Sequence, residues 1–347
     1  MKKRQATLKT VASRSAAADR LNWINSALMV AACGAAYIAP FHLFLLAYAI
    51  LGPLHYITEI SWLHDRSYFA NQHSARRWWL VLVAVTMVVL LFGYIANDLL
   101  HRPVPPKYEI AMVYLVFVTA SILLYVRRIK NATPLVAAAI IAIVLFSQTR
   151  TFFLLAYFLV TIVHVLIFTA AFVMFGAMKT RSRTALLSLL VLVLCAASFF
   201  VFEPAISAPP ESLRQVYSFF EPLNIQLAKL FRLPQASIYE SPSGVAVMRL
   251  IAFAYTYHYL NWFSKTSIIR WHEVPRSRAI AMFALWLAAI ALYFFDYSVG
   301  LTILYAGSLL HVLLEFPLDV QTFVGIGREL RTLLWPRAIL RPGTPGI

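Results

Sequence analysis

Long apolar stretches separated by polar segments make up most of this chain. A helix needs about 20 mostly apolar residues to cross the hydrocarbon of a bilayer. Ten stretches approach that length: 22–38, 41–63, 78–96, 109–126, 133–147, 151–176, 184–203, 244–264, 279–296 and 299–320. The pattern predicts an all-α fold, a polytopic transmembrane helix bundle of about ten spans. It divides the chain into a basic tail over 1–21, a single transmembrane domain over 22–320 and a second basic tail over 321–347. One intervening segment is long, 205–243. Within it Leu213, Val216, Tyr217, Phe220, Leu223, Leu227 and Leu230 recur at helical spacing, which predicts an amphipathic helix lying on the outer face.

Composition agrees. The 347 residues are 61% hydrophobic and 13% charged, against about 45–50% and 25% in soluble domains, and the mean hydropathy is +0.74. A soluble globular protein, a disordered tail protein and a coiled coil are excluded. The two cysteines, Cys33 and Cys195, sit in apolar stretches and offer no disulfide framework and no CxxC metal knuckle. The net charge of +16 comes without a dense basic patch, so it reports topology and not a nucleic-acid partner. With ten spans, 23 of the 30 Lys and Arg residues fall on one side, from Lys2, Lys3 and Arg4 to Arg337 and Arg341. Basic loops stay cytoplasmic, so both termini are expected in the cytoplasm. The expected location is multi-pass in a bacterial inner (cytoplasmic) membrane.

The candidate chemistry lies in the ionisable residues that fall within spans. His42, His64, His73, His101 and His272 sit in loops or at helix ends; His55, His164, His258 and His311 lie inside the second, sixth, eighth and tenth stretches. Those four spans run in the same direction, and each histidine stands 12 to 14 residues from its span's start. At about 1.5 Å per residue the imidazoles reach one level, nearer the cytoplasm. Glu59 and Glu315 are the acidic residues read as lying well within spans, each four residues after a histidine. An intramembrane carboxylate is costly unless partnered, and residues four apart share a helix face. The set predicts a metal centre ligated by His55, His164, His258 and His311. Glu59 and Glu315 are its catalytic carboxylates, either orienting the imidazoles or joining as ligands of a two-metal site. An interhelical His–Glu hydrogen-bond network without metal is the plainer alternative.

Phe44-Leu45-Leu46-Ala47-Tyr48 and Phe153-Leu154-Leu155-Ala156-Tyr157 each place a tyrosine seven residues before a histidine. With Tyr255 and Tyr305 these tyrosines are expected to line a cavity above the metal suited to a flat, lipophilic small-molecule substrate. Asn261, three residues after His258, is expected at the same site, bonded to a ligand histidine or a water. No GxxxxGK[ST] loop, GxSxG elbow or HExxH helix occurs, and no HxxxH or HxxHH cluster of the histidine-box desaturases.

The stretch Gly52-Pro53-Leu54-His55-Tyr56-Ile57-Thr58-Glu59 resembles the signature of bacterial membrane β-carotene dioxygenases of the Brp/Blh type. In that family a Gly-x-Pro-His sequence is followed closely by an acid. Here Leu54 separates the proline from the histidine and the acid is Glu59, and the likeness covers about eight residues. The resemblance implies a ferrous centre with His55, His164, His258 and His311 as ligands.

Three functions follow in order. The first is a non-haem iron oxygenase or dioxygenase acting on a carotenoid- or lipid-like substrate from the membrane, with Fe(II) as the metal and zinc or haem as alternatives. The second is a haem-binding electron-transfer protein. The third is a divalent-cation transporter with a His/Glu transit site, and a scaffold without metal comes last. The topology has a direct test. A reporter fused after residue 225 should read as extracytoplasmic and one at the C-terminus as cytoplasmic; the opposite result at either point overturns the ten-span reading.

Overall fold

The computed structural model describes residues 2–334 apart from 71–72, 97–99, 102–104, 106, 127–128, 148, 203–207 and 235–236. Among them there is helix and no strand. The helices are α1 Lys2–Ile38, α2 Pro40–Leu46, α3 Gly52–Asp65, α4 His73–Tyr94, α5 Lys107–Tyr125, α6 Ile129–Phe146, α7 Arg150–Phe158, α8 Thr169–Thr180, α9 Arg183–Ser198, α10 Glu211–Tyr217, α11 Glu221–Leu230, α12 Pro242–Ser264, α13 Thr266–Ile269, α14 Arg276–Phe295 and α15 Tyr297–Leu334. Seven helical segments are long and apolar enough to cross a membrane: Ala16–Ile38, Pro40–Asp65, Ala75–Tyr94, Lys107–Tyr125, Thr151–Thr180, Arg276–Phe295 and Tyr297–Leu334. Asn131–Phe146 and Arg183–Ser198 are apolar but shorter.

The long helix α12 has a different role. Every residue from Gly244 to Tyr259 is buried, so this helix faces protein all round. That explains its tyrosines, its Asn261 and its Arg249, which a lipid-facing helix would expose at high cost. Around it pack α1, α2, α9, α11 and α3. A polar seam joins α1 to α9: Asn22 Nδ2 donates to Thr184 Oγ1 at 2.9 Å, and Ser26 and Ser188 hydroxyls meet at 2.9 Å. Small polar side chains of this kind let helices approach closely and hydrogen-bond across the contact. Cys33 and Cys195 lie in the same seam as free thiols.

Two apolar stretches at the site depart from regular α-helix. Between α2 and α3, Ala47–Leu51 is a π turn; Pro53 lacks the N–H that the Ala49 carbonyl would take in an α-helix, which shifts the ladder. Trp286 Nε1 on α14 donates to the Ile50 carbonyl at 2.8 Å and Tyr297 Oη to that of Leu45 at 3.0 Å. Between α7 and α8, Leu159–Phe168 is also π-helical, with Thr161 at φ −118° and ψ −107°. Its Oγ1 donates back to the Tyr157 carbonyl at 2.6 Å, the side-chain competition that bends helices.

The segment 205–243, expected as one amphipathic helix on the outer face, folds as two helices, α10 and α11. Tyr217, Phe220, Leu223 and Leu227 face inward, Tyr217 and Phe220 against Phe41 and Phe44 of α2. Helix ends also differ from the expected stretches. The basic segment 1–21 is helical and continuous with the first apolar stretch, α1 running unbroken from Lys2. The tenth stretch does not end at residue 320: α15 continues to Leu334, with Asp319 and Thr322 buried against neighbours, and residues 335–347 lie outside the described residues. The seventh ends at Ser198, not residue 203.

Gly244 shows how tightly α12 is seated. A Cβ there would stand 2.6–2.7 Å from backbone atoms of Ser237 and Ile238, which cannot swing aside. Gly244→Ala should cost about 1–3 kcal/mol, the usual range for overpacking, read as a lowered thermal midpoint in detergent. Gly327→Ala, with nothing within 4 Å, should leave the midpoint unchanged or raise it.

Candidate metal centre

The four span histidines converge. His55 on α3, His164 in the π segment, His258 on α12 and His311 on α15 each present one nitrogen to a group whose members lie within 4.8 Å of one another. His258 Nε2 is 2.9 Å from His55 Nε2, and His164 Nε2 is 3.2 Å from His311 Nε2. A cation at 2.0–2.3 Å from each donor sets neighbouring donors about 3–3.5 Å apart, the scale seen here. The imidazoles are 1–7% exposed. The Nδ1 atoms of His55, His164 and His311 are buried without a hydrogen bond of good geometry. A group of this composition and spacing can hold a metal ion.

The carboxylates sit on different sides of it. Glu59 Oε2 is 3.1 Å from His55 Nε2, the nitrogen that also faces His258. Glu59 therefore reaches the inside of the group. Glu315 does not meet the imidazole of its own helix; its Oε2 lies 3.3 Å from His164 Nδ1, behind the ring. That is the place from which a carboxylate fixes a ligand histidine's tautomer. His258 is oriented by a residue that the sequence reading passed over. Thr169 Oγ1, at the start of α8, lies 2.9 Å from His258 Nδ1.

Asn261 does not belong to the site. It faces the other side of α12, where Tyr257 Oη lies 3.4 Å from its Oδ1, and it helps form a cluster with Asn25 and Ser264. Three residues along a helix leave a position about 60° short of a full turn, enough to turn it from the metal group toward α1. Asp319 was missed in the opposite sense. It is 1% exposed and groups with His164 and Glu315 within 4.8 Å. The signal was present as the spacing 311, 315, 319 on one face, but a span ended at residue 320 makes Asp319 read as interfacial.

Tyr48, Tyr157, Tyr255 and Tyr305 do line one cavity, of about 390 Å³, together with His164, His258 and His311. Its walls include Met87, Leu90, Leu91 and Tyr94 from α4, Phe219 and Phe220 from the turn between α10 and α11, and Leu223 from α11. Glu109 of α5 also lines it, a carboxylate the sequence reading did not single out. His42, His64 and His272 are exposed and take no part in the group.

Compared with protein-family models, curated proteins and solved structures, the chain matches none.

Orientation of His258 through Thr169 gives a test against Asn261. Thr169→Val should weaken metal affinity by roughly 10–100-fold, the range for losing a hydrogen bond behind a ligand, whereas Asn261→Ala should leave it unchanged. Cobalt(II) titration followed by its visible absorption would separate the two.

Proposed function

We propose that this protein is an intramembrane metalloenzyme, a non-haem iron oxygenase acting on an apolar, carotenoid- or lipid-like substrate. The observation that carries the reading is the meeting of four buried imidazoles at one end of an aromatic cavity. We read the chain as ten spans with both termini cytoplasmic in a bacterial inner membrane, α6, α9 and α12 completing the seven longer apolar segments. Neutral imidazoles suit iron, zinc or copper, and Fe(II) is the choice that adds reactivity toward O₂. When bound, the metal would supply a Lewis-acidic, redox-active centre with coordination positions open to O₂.

The chain's own residues do the rest. His164, His258 and His311 border the cavity whereas His55 does not, so the open face of the group is turned to the cavity. Tyr48, Tyr157, Tyr255 and Tyr305 would stack against and orient a flat substrate, and the mostly apolar wall suits an apolar one, with Glu109, Thr161, Thr302 and Ser308 as its polar exceptions. Leu91, Phe219 and Tyr305 line the cavity and also stand exposed, which supports entry from lipid between α4, α15 and the outer helices. Thr169 holds the ring of His258, and Glu315 stands 3.3 Å from Nδ1 of His164, placed to orient it. Oxidative cleavage of a carbon–carbon double bond joins one O₂ to two carbons as two carbonyl groups. It needs no external reductant. The likeness of residues 52–59 to membrane β-carotene dioxygenases supports a polyene as substrate.

Axial haem ligation fits less well. Two axial nitrogens across an iron stand about 4 Å apart, from bond lengths near 2 Å, and here the facing pairs are 2.9 and 3.2 Å apart. The small-residue faces that could have admitted a porphyrin are filled, Gly52 by Tyr259 and Gly307 by Tyr56. One observation favours divalent-cation transport as a second reading: Glu315 and Asp319 continue the polar set one and two turns beyond His311. The predominance of apolar and aromatic side chains in the wall on the other side ranks it below the oxygenase.

Detergent-purified protein should carry iron, show no Soret band, and convert a polyene in an O₂-dependent reaction. His164→Ala should abolish iron binding and activity, Glu59→Gln should lower them by roughly 10–100-fold, and His272→Ala should change neither. Full activity in His164→Ala with loss in His272→Ala would overturn the assignment. Manganese(II) uptake by proteoliposomes would move the protein to the transport reading.

A further inference from the structure

Behind His164, on the side away from the other three imidazoles, lies a second group of donors. Glu315 Oε2 is 3.3 Å from His164 Nδ1, and one ligand atom each from His164, Glu315 and Asp319 lie within 4.8 Å of one another. His164 Nδ1, Glu315 Oε2 and both carboxylate oxygens of Asp319 are buried without a hydrogen-bond partner. Orienting His164 needs one carboxylate at most, and Glu315 stands at that position with no hydrogen bond made. Asp319 is left over. It is 1% exposed, and the carboxyls of Glu315 and Glu59 interact with it electrostatically. An unpaired carboxylate at this depth, next to two others, calls for a cation.

We propose a second divalent-metal site formed by His164 Nδ1, Glu315 and Asp319, so that His164 bridges two metals through its two nitrogens. The inference rests on the four-histidine metal reading. His164 Nε2 belongs to the first group, 3.2 Å from His311 Nε2, and Nδ1 to the second. A ring that binds through both nitrogens has lost its N–H proton, so filling the second site releases a proton to solvent. Glu59 stands between the two sites. Its Oε2 is 3.1 Å from His55 Nε2, and its carboxyl also interacts with that of Glu315, the position of a bridging ligand. A site of one imidazole and two carboxylates prefers a harder ion than four imidazoles do, such as Fe(II) or Mn(II).

The test uses the full chain in detergent, stripped by a chelator and reloaded without oxygen with Mn(II). Wild type should bind two equivalents with a spin-coupled electron paramagnetic resonance signal, and Asp319→Asn one equivalent with an uncoupled signal. Glu315→Gln should behave as Asp319→Asn does, and serves if that variant elutes as aggregate. One equivalent in wild type, kept in Asp319→Asn and lost in His311→Ala, would overturn the second site and leave the four-histidine site standing. Two equivalents in both Asp319→Asn and Glu315→Gln would also overturn it. No bound metal in folded wild type would overturn both.

Discussion

Hydrocarbon offers no hydrogen bonds, and this constraint organises the molecule. An imidazole or carboxylate within the bilayer must find its partners inside the protein or carry a cost of several kcal/mol. Here four histidines, Glu59, Glu315 and Asp319 are gathered into one region, all of them buried. Each comes from a different turn of α3, α12, α15 or the π segment after α7, so the region is where these elements meet. The surrounding helices enclose it, and α12, buried along most of its length, is the post against which they stand.

The two π segments fall where this gathering has to be adjusted. One lies directly before α3 and the other contains His164. A π turn inserts a residue into a helix and rotates everything after it, and such turns recur at functional sites. The first begins at Ala47 of one Phe-Leu-Leu-Ala-Tyr sequence and the second just after Tyr157 of the other, and in both the tyrosine ends at the cavity wall and the histidine in the four-histidine group. Around the first, Trp286 and Tyr297 donate to the Ile50 and Leu45 carbonyls, so that irregularity is stabilised by neighbouring α14 and α15. The fold stabilises the distortion, the distortion aims the imidazoles, and the imidazoles make the site.

The outer helices close the other end of the cavity. Phe219 and Phe220 lie in its wall, and the segment is tied down by Tyr217 Oη donating to Asn224 Oδ1 at 2.5 Å and by the Arg214–Glu240 ion pair at 2.9 Å. These bonds lie beside the cavity, so the outer helices combine a structural brace with a cavity wall. An apolar ligand would meet aromatic faces at the far end and imidazole at the near end.

Hydropathy alone was enough to mark the apolar helices, and the depth of the histidines was enough to pick His55, His164, His258 and His311 from nine. Both follow from one-dimensional rules: a bilayer sets the length of a span, and a fixed rise per residue turns position into depth. The tyrosines of the cavity were legible for the same reason. Rotation about each helix axis was not. Whether Asn261 faces the site or α1, whether Glu315 meets His311 or His164, and whether Thr169 reaches His258 depend on π turns and on which helix lies opposite. Asp319 shows the limit from the other side. Its spacing placed it on the face of His311 and Glu315, but only the packing around an extended α15 buries it, because burial is a property of neighbours and not of the sequence segment.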